Sequence, residues 1–122
     1  MRRMRLPFTT DASGDVTVNG ERVIQGKLYA IQADIDATVN GAIDLTISTQ
    51  GAAGSKTLLT LSNLAGDGLF YPRDVVHDAA GTALTGTSGG DRTMPLLEGK
   101  PRVVVAQGGN ALSGAVILYF EE

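Results

Sequence analysis

The chain has no cysteine and no tryptophan, and its only histidine is His77. Without cysteine there is neither a disulfide nor a thiolate metal site. A small β-rich chain that does without disulfides is expected to assemble in a reducing cytoplasm. Three tyrosines and three phenylalanines are a thin aromatic stock, so the ring platforms on which carbohydrate-binding sandwiches stack sugars are scarce, and lectin-like binding ranks low. Runs of Glu, Lys and Leu that would favour helix are missing. No apolar run approaches the ~20 residues that span a bilayer. Near the start, Leu6-Pro7-Phe8-Thr9-Thr10 is shorter than the apolar core of ~7–15 residues of a signal peptide. The expectation is a soluble chain with no membrane partner.

What is present is glycine, 16 residues of it, among Ala, Thr, Val and Leu, with 43% hydrophobic residues over 122. That length fits one domain burying roughly two-thirds of its unfolded surface. Periodicity of two recurs and periodicity of 3.6 does not. Lys27–Asp36 alternates Tyr29, Ile31, Ala33 and Ile35 on one face, and Gly41–Thr49 alternates Ile43, Leu45 and Ile47 against polar neighbours. Thr57–Leu64 reads as a strand with Leu59 and Leu61 inward and Leu58 toward a second covered face. Asn19-Gly20, between Asp15–Val18 and Glu21–Ile24, predicts a type I′ hairpin, because both central residues of that turn need positive φ. Leu69–His77 looks extended but is interrupted by Pro72, which cannot donate to a ladder. Asp78–Thr93 reads as a long loop with a short strand near Ala83-Leu84. Arg102–Gln107 and Ala115–Glu121, joined by Gly108–Gly114, predict a closing pair.

Seven to nine short strands spaced by turn signals predict an all-β fold: an antiparallel β-sandwich or jelly roll. The expected organisation is an extended N-terminal arm, residues 1–14, and a single sandwich domain, residues 15–122.

Charge divides the chain in the same place. Arg2, Arg3 and Arg5 give the first five residues +3; with those set aside, seven basic and 13 acidic side chains remain, a net of −6. An acidic body is a poor surface for nucleic acid, and no specific nucleic-acid binding is expected. The arm mixes cations with the apolar anchors Leu6 and Phe8. Arg2, Arg3, Arg5, Leu6 and Phe8 are therefore the candidate partner-binding residues: arginine supplies forked hydrogen bonds to carboxylates, and the apolar pair supplies burial across a neighbouring subunit.

Catalytic patterns are weak. His77 stands near Asp74 and Asp78, but Asp74 and His77 fall on opposite faces of an ideal strand, so an ordinary hydrogen-bonding histidine is the better reading. No Gly-x-Ser-x-Gly elbow accompanies it. Gly51-Ala52-Ala53-Gly54-Ser55-Lys56 lacks the spacing of a phosphate loop and precedes a strand, which reads as a hairpin turn. With 13 acidic residues, the existence of carboxylate pairs decides nothing about glycosidase chemistry. No catalytic residue, metal or cofactor is expected.

Thr57-Leu58-Leu59-Thr60-Leu61-Ser62-Asn63, Phe70-Tyr71-Pro72-Arg73, Val76-His77-Asp78 and Val105-Ala106-Gln107-Gly108-Gly109-Asn110 resemble segments of short β proteins encoded among the head genes of tailed bacteriophages. The resemblance spans residues 26–121. Proteins of that kind are similar to capsid decoration, or cement, proteins. The resemblance implies a non-enzymatic virion component on the outer capsid surface, assembled in the host cytoplasm. Its implied partners are the major capsid protein and copies of itself, a homotrimer ahead of a dimer. Other virion positions (neck, tail or head fibre) and a carbohydrate- or receptor-binding module are the alternatives.

Overall fold

The computed structural model describes residues 1–35, 42–52, 54–76, 78–82, 92–109 and 111–122. Ten strands are present and no helix among these residues: β1 (Arg2–Thr9), β2 (Val16–Asn19), β3 (Ile24–Ile35), β4 (Ile43–Gly51), β5 (Gly54–Leu64), β6 (Gly68–Phe70), β7 (Asp74–Val75), β8 (Arg92–Thr93), β9 (Leu96–Ala106) and β10 (Ser113–Glu121).

Every pairing is antiparallel. Eight of the strands form one hydrogen-bonded sheet that is continuous through the β3–β9 pairing and folds into two layers, β1–β10–β3–β6 and β2–β9–β4–β5; β7 and β8 form a separate two-stranded ribbon. Four pairs are nested along the chain: β1 with β10, β2 with β9, β3 with β6, and β4 with β5. That is one long antiparallel hairpin wrapped over itself, the jelly-roll winding of a β-sandwich. The predicted all-β sandwich is thus the observed fold.

The layers meet where β3 and β9 overlap. Ile24–Lys27 pair with Leu96–Gly99, after which β3 continues beside β10 and β9 beside β4. Glycine is required at both bends. Gly26 has φ +133° and Gly99 φ +123°; a Cβ at Gly26 would lie 1.8 Å from the Glu121 carbonyl oxygen, and one at Gly99 2.5 Å from that of Gln50. Between the layers, Ile24, Leu28, Ile31, Ile43, Ile47, Val103, Val116, Leu118 and Phe120 are wholly buried. These come from the alternating positions of a period-two pattern, with one slip on β3 between Leu28 and Ile31.

Three expectations are corrected. Residues 1–14 are not an arm apart from the body: β1 pairs with β10 over Arg2↔Phe120 to Thr9↔Ser113. Leu6 and Phe8 are each only 5% exposed, within the chain's own core. Met4, Leu6 and Phe8 alternate inward with the rest of the sheet, and Pro7 is tolerated because β1 is an edge strand. Burying Leu6 and Phe8 contributes roughly 1.5–3 kcal/mol each.

Asn19-Gly20 is no I′ hairpin. Neither residue has positive φ; β2 pairs with β9, and the Gly20 N–H donates to the Pro101 carbonyl at 2.7 Å. Nor do residues 102–107 pair with residues 115–121: β10 lies between β1 and β3, and β9 pairs with β2, β3 and β4, so the two run in opposite layers.

Two loops share one construction. In Asp11–Asp15, Asp11 Oδ1 accepts from the N–H of Ser13 and Asp15; in Asp78–Thr82, Asp78 Oδ1 accepts from Ala80 and Thr82. The fourth residue of each is a glycine at positive φ, Gly14 and Gly81. Thr10 fastens the end of β1: its Oγ1 accepts from the Leu112 N–H at 2.8 Å and donates to the Gly109 carbonyl at 2.7 Å.

Candidate functional site

The outer face of the β1–β10–β3–β6 layer gathers side chains from five places in the sequence. Cross-strand register sets the rows. Arg3 lies opposite Tyr119, and Tyr119 opposite Ala30. In the next row Arg5 lies opposite Ile117, Ile117 opposite Gln32, and Gln32 opposite Leu69. Leu118 and Phe120 point into the core, so the alternation sends Tyr119 outward.

Tyr29 arrives by a different route. Between Tyr119↔Ala30 and Phe120↔Leu28 the register slips by one residue on β3, and Tyr29 is the extra residue. A bulge of this kind re-aims a side chain. Leu28 stays buried while Tyr29 is 41% exposed. Its ring meets that of Tyr71 edge to face, centroids 5.8 Å apart and planes at 86°. The Arg73 guanidinium lies 5.7 Å from the Tyr29 centroid and 6.0 Å from that of Tyr71. It is fixed there by donating to the carbonyls of Tyr29 (3.0 Å) and Pro72 (2.7 Å). The Tyr119 hydroxyl donates to Gln32 Oε1 at 2.9 Å.

All three tyrosines of the chain thus line one shallow pocket of about 180 Å³, with Met1, Ala30, Gln32 and Leu69. Met1, Leu69 and Tyr71 are more than half exposed. Pockets for whole small molecules run to ~300–1,000 Å³, so this one has room for a single ring or side chain. Tyrosine, arginine and methionine are the residues enriched where proteins dock. The two central rows carry Arg3 and Arg5 and no carboxylate; Asp34 stands one row beyond, and Glu121 lies opposite Lys27 at the other end.

The predicted site residues therefore separate. Arg3 and Arg5 are exposed on this face. Arg2 pairs with Glu122 at 3.4 Å, a carboxylate it shares with Arg22. Leu6 and Phe8 are core residues and are not available to a partner. Tyr29, read from the sequence on one face with Ile31, Ala33 and Ile35, is a surface residue, and Tyr119 also reaches the surface. The signal for Tyr119 was present in its position between Leu118 and Phe120; that for Tyr29 was not, since a bulge leaves no mark in the alternation.

His77 and the Ala83-Leu84 strand lie outside the described residues. Asp74, one of the two carboxylates that stand near His77 in the sequence, accepts from Lys56 Nζ at 2.7 Å. Lys56 also borders a hollow of about 220 Å³ beside the β4–β5 turn, where Gly51 pairs with Gly54 as a hairpin and not as a phosphate loop. No group of three potential metal ligands occurs among the described residues.

Comparison with family models, with curated proteins and with solved structures found no match.

Proposed function

We propose that this chain is a non-enzymatic structural protein of a tailed-phage virion, which attaches to the assembled capsid and reinforces it. The observation that carries the reading is the tyrosine–arginine face: an exposed, rigid surface built on a sheet, with the composition of a docking site. Two further points support it. The jelly-roll winding recurs in viral capsid and lectin domains, an argument by fold analogy alone. The strand and turn segments quoted above resemble those of phage head proteins. Attachment belongs to this sheet face and not to an arm, because Leu6 and Phe8 are consumed by the chain's own core. Copies of the chain and the major capsid protein are its proposed partners, on the outer surface of the virion. Many symmetric copies make a modest interface per copy sufficient.

A second reading is a carbohydrate- or receptor-binding module. The observation favouring it is the convergence of the three tyrosines on one ring-sized pocket.

The test is the copy number of the chain in purified particles, by quantitative mass spectrometry. On the order of hundreds of copies per particle is expected of a decoration protein. About six or twelve would move it to the neck or tail, and absence from the particle would overturn the virion reading. A glycan array checks the second reading.

A further inference from the structure

We propose that the tyrosine–arginine face docks an acidic protein segment, one that seats an apolar side chain in the Tyr29–Tyr71–Tyr119 pocket and lays carboxylates against Arg3, Arg5 and Arg73, and that its occupant is not a second copy of this chain. The proposal rests on the reading of this face as a docking surface and names the partner's chemistry.

Charge decides between occupants. Arg3 stands beside the pocket on the β1 side, opposite Tyr119; Arg5 stands one row further along β1, bordering a hollow it shares with Asp34; and Arg73 flanks the pocket at Tyr29 and Tyr71. Two copies related by a two-fold axis through this face would set arginines against arginines, with no carboxylate in the central rows to relieve them. A partner with carboxylates on both sides of one apolar group matches the arrangement instead. Arginine pairs with carboxylate through two parallel hydrogen bonds, and a guanidinium already stacked on two rings has less freedom to lose on binding. The pocket is shallow and its lining is predominantly apolar, so it rewards a ring or a branched aliphatic group between those charges.

Single-stranded nucleic acid also combines negative charge with stacking rings. It fits less well. Its phosphates continue beyond the face, whereas the chain as a whole is acidic, with net charge −3. A strand leaving the three arginines meets a repelling surface. A short acidic segment does not.

The experiment uses the full chain, immobilised, and three probes: a random Glu–Tyr copolymer, poly-glutamate, and an oligothymidylate of about twelve nucleotides. The copolymer is expected to bind about tenfold more tightly than either of the others. Its binding should weaken severalfold between about 50 and 300 mM salt. Tyr71→Ala and the double change Arg3→Gln with Arg73→Gln should each lower it at least about threefold; circular dichroism and unchanged melting would show that these variants remain folded.

Poly-glutamate binding as well as the copolymer would overturn the pocket's part. Tighter oligothymidylate would overturn the protein partner in favour of nucleic acid. Binding lost in Tyr71→Ala but insensitive to salt and to the arginine changes would overturn the acidic partner while leaving the face a docking surface. A dimer in sedimentation equilibrium that Tyr71→Ala dissociates would overturn the exclusion of a second copy. No binding of any probe overturns the proposal, and the virion reading is then decided separately by copy number.

Discussion

Arg3 and Tyr119 stand directly opposite each other on neighbouring strands, 116 positions apart in the chain. Their pairing closes the outermost turn of the jelly roll, and it also brings the basic start of the chain to the aromatic face. One structural fact thus makes β1 a part of the fold and Arg3 a part of the candidate site.

The two faces of β1 are expected to respond differently to mutation. Leu6→Ala should cost about 2–5 kcal/mol and Phe8→Ala about 3–5 kcal/mol, because each leaves a cavity in the core. Arg3→Ala and Arg5→Ala should stay within about 0.5 kcal/mol. Urea denaturation checks this. Deleting residues 1–9 removes both core side chains and uncovers the edge of β10; an unfolded or aggregated product is expected. A deletion variant as stable as the full chain would show that β1 contributes nothing.

Gly99→Ala is expected to destabilise by roughly 2–4 kcal/mol, since φ is +123° and the new methyl would press on the Gln50 carbonyl. Gly54→Ala is the informative comparison: φ is similar at +121°, but nothing lies within 4 Å of the added carbon. Thermal melting of the pair separates backbone strain from steric overlap, and equal losses would assign the whole effect to strain.

Thr10→Val keeps the shape of a 4%-exposed side chain and removes its hydroxyl. The Leu112 N–H and the Gly109 carbonyl both lose their partner. A loss of about 1–3 kcal/mol is expected. Thr10→Ser, which retains the hydroxyl, should recover most of it. Hydrogen exchange at the Leu112 amide should quicken in Thr10→Val and not in Thr10→Ser.

The Lys56–Asp74 pair, though only 2.7 Å apart, joins side chains that are about 40% exposed. Its coupling in a double-mutant cycle should be no more than about 1 kcal/mol and should shrink in high salt. A larger, salt-insensitive value would mean that the pair is shielded from solvent by something beyond its immediate neighbours.

The fold class was legible because a two-residue period records only which side of a strand is wet. Ile43, Leu45 and Ile47 declared a buried face, and Pro72 marked the break between β6 and β7. The partners of each strand were not legible. Asn19-Gly20 has the composition of a tight hairpin, yet β2 finds a better neighbour in β9, far along the chain, where Val16 and Val18 gain the shared core. The N-terminal segment was misread for the same reason: its alternation was visible over Met4, Leu6 and Phe8, but its partner lies at the other end of the sequence. The candidate site follows from those pairings. The sequence by itself determined that Tyr119 faces away from Leu118 and Phe120. Only the tertiary structure decided that Arg3, Tyr29 and Tyr71 stand beside it, because cross-strand register and a single-residue bulge are set by the packing of the whole sandwich and not by any local run of residues.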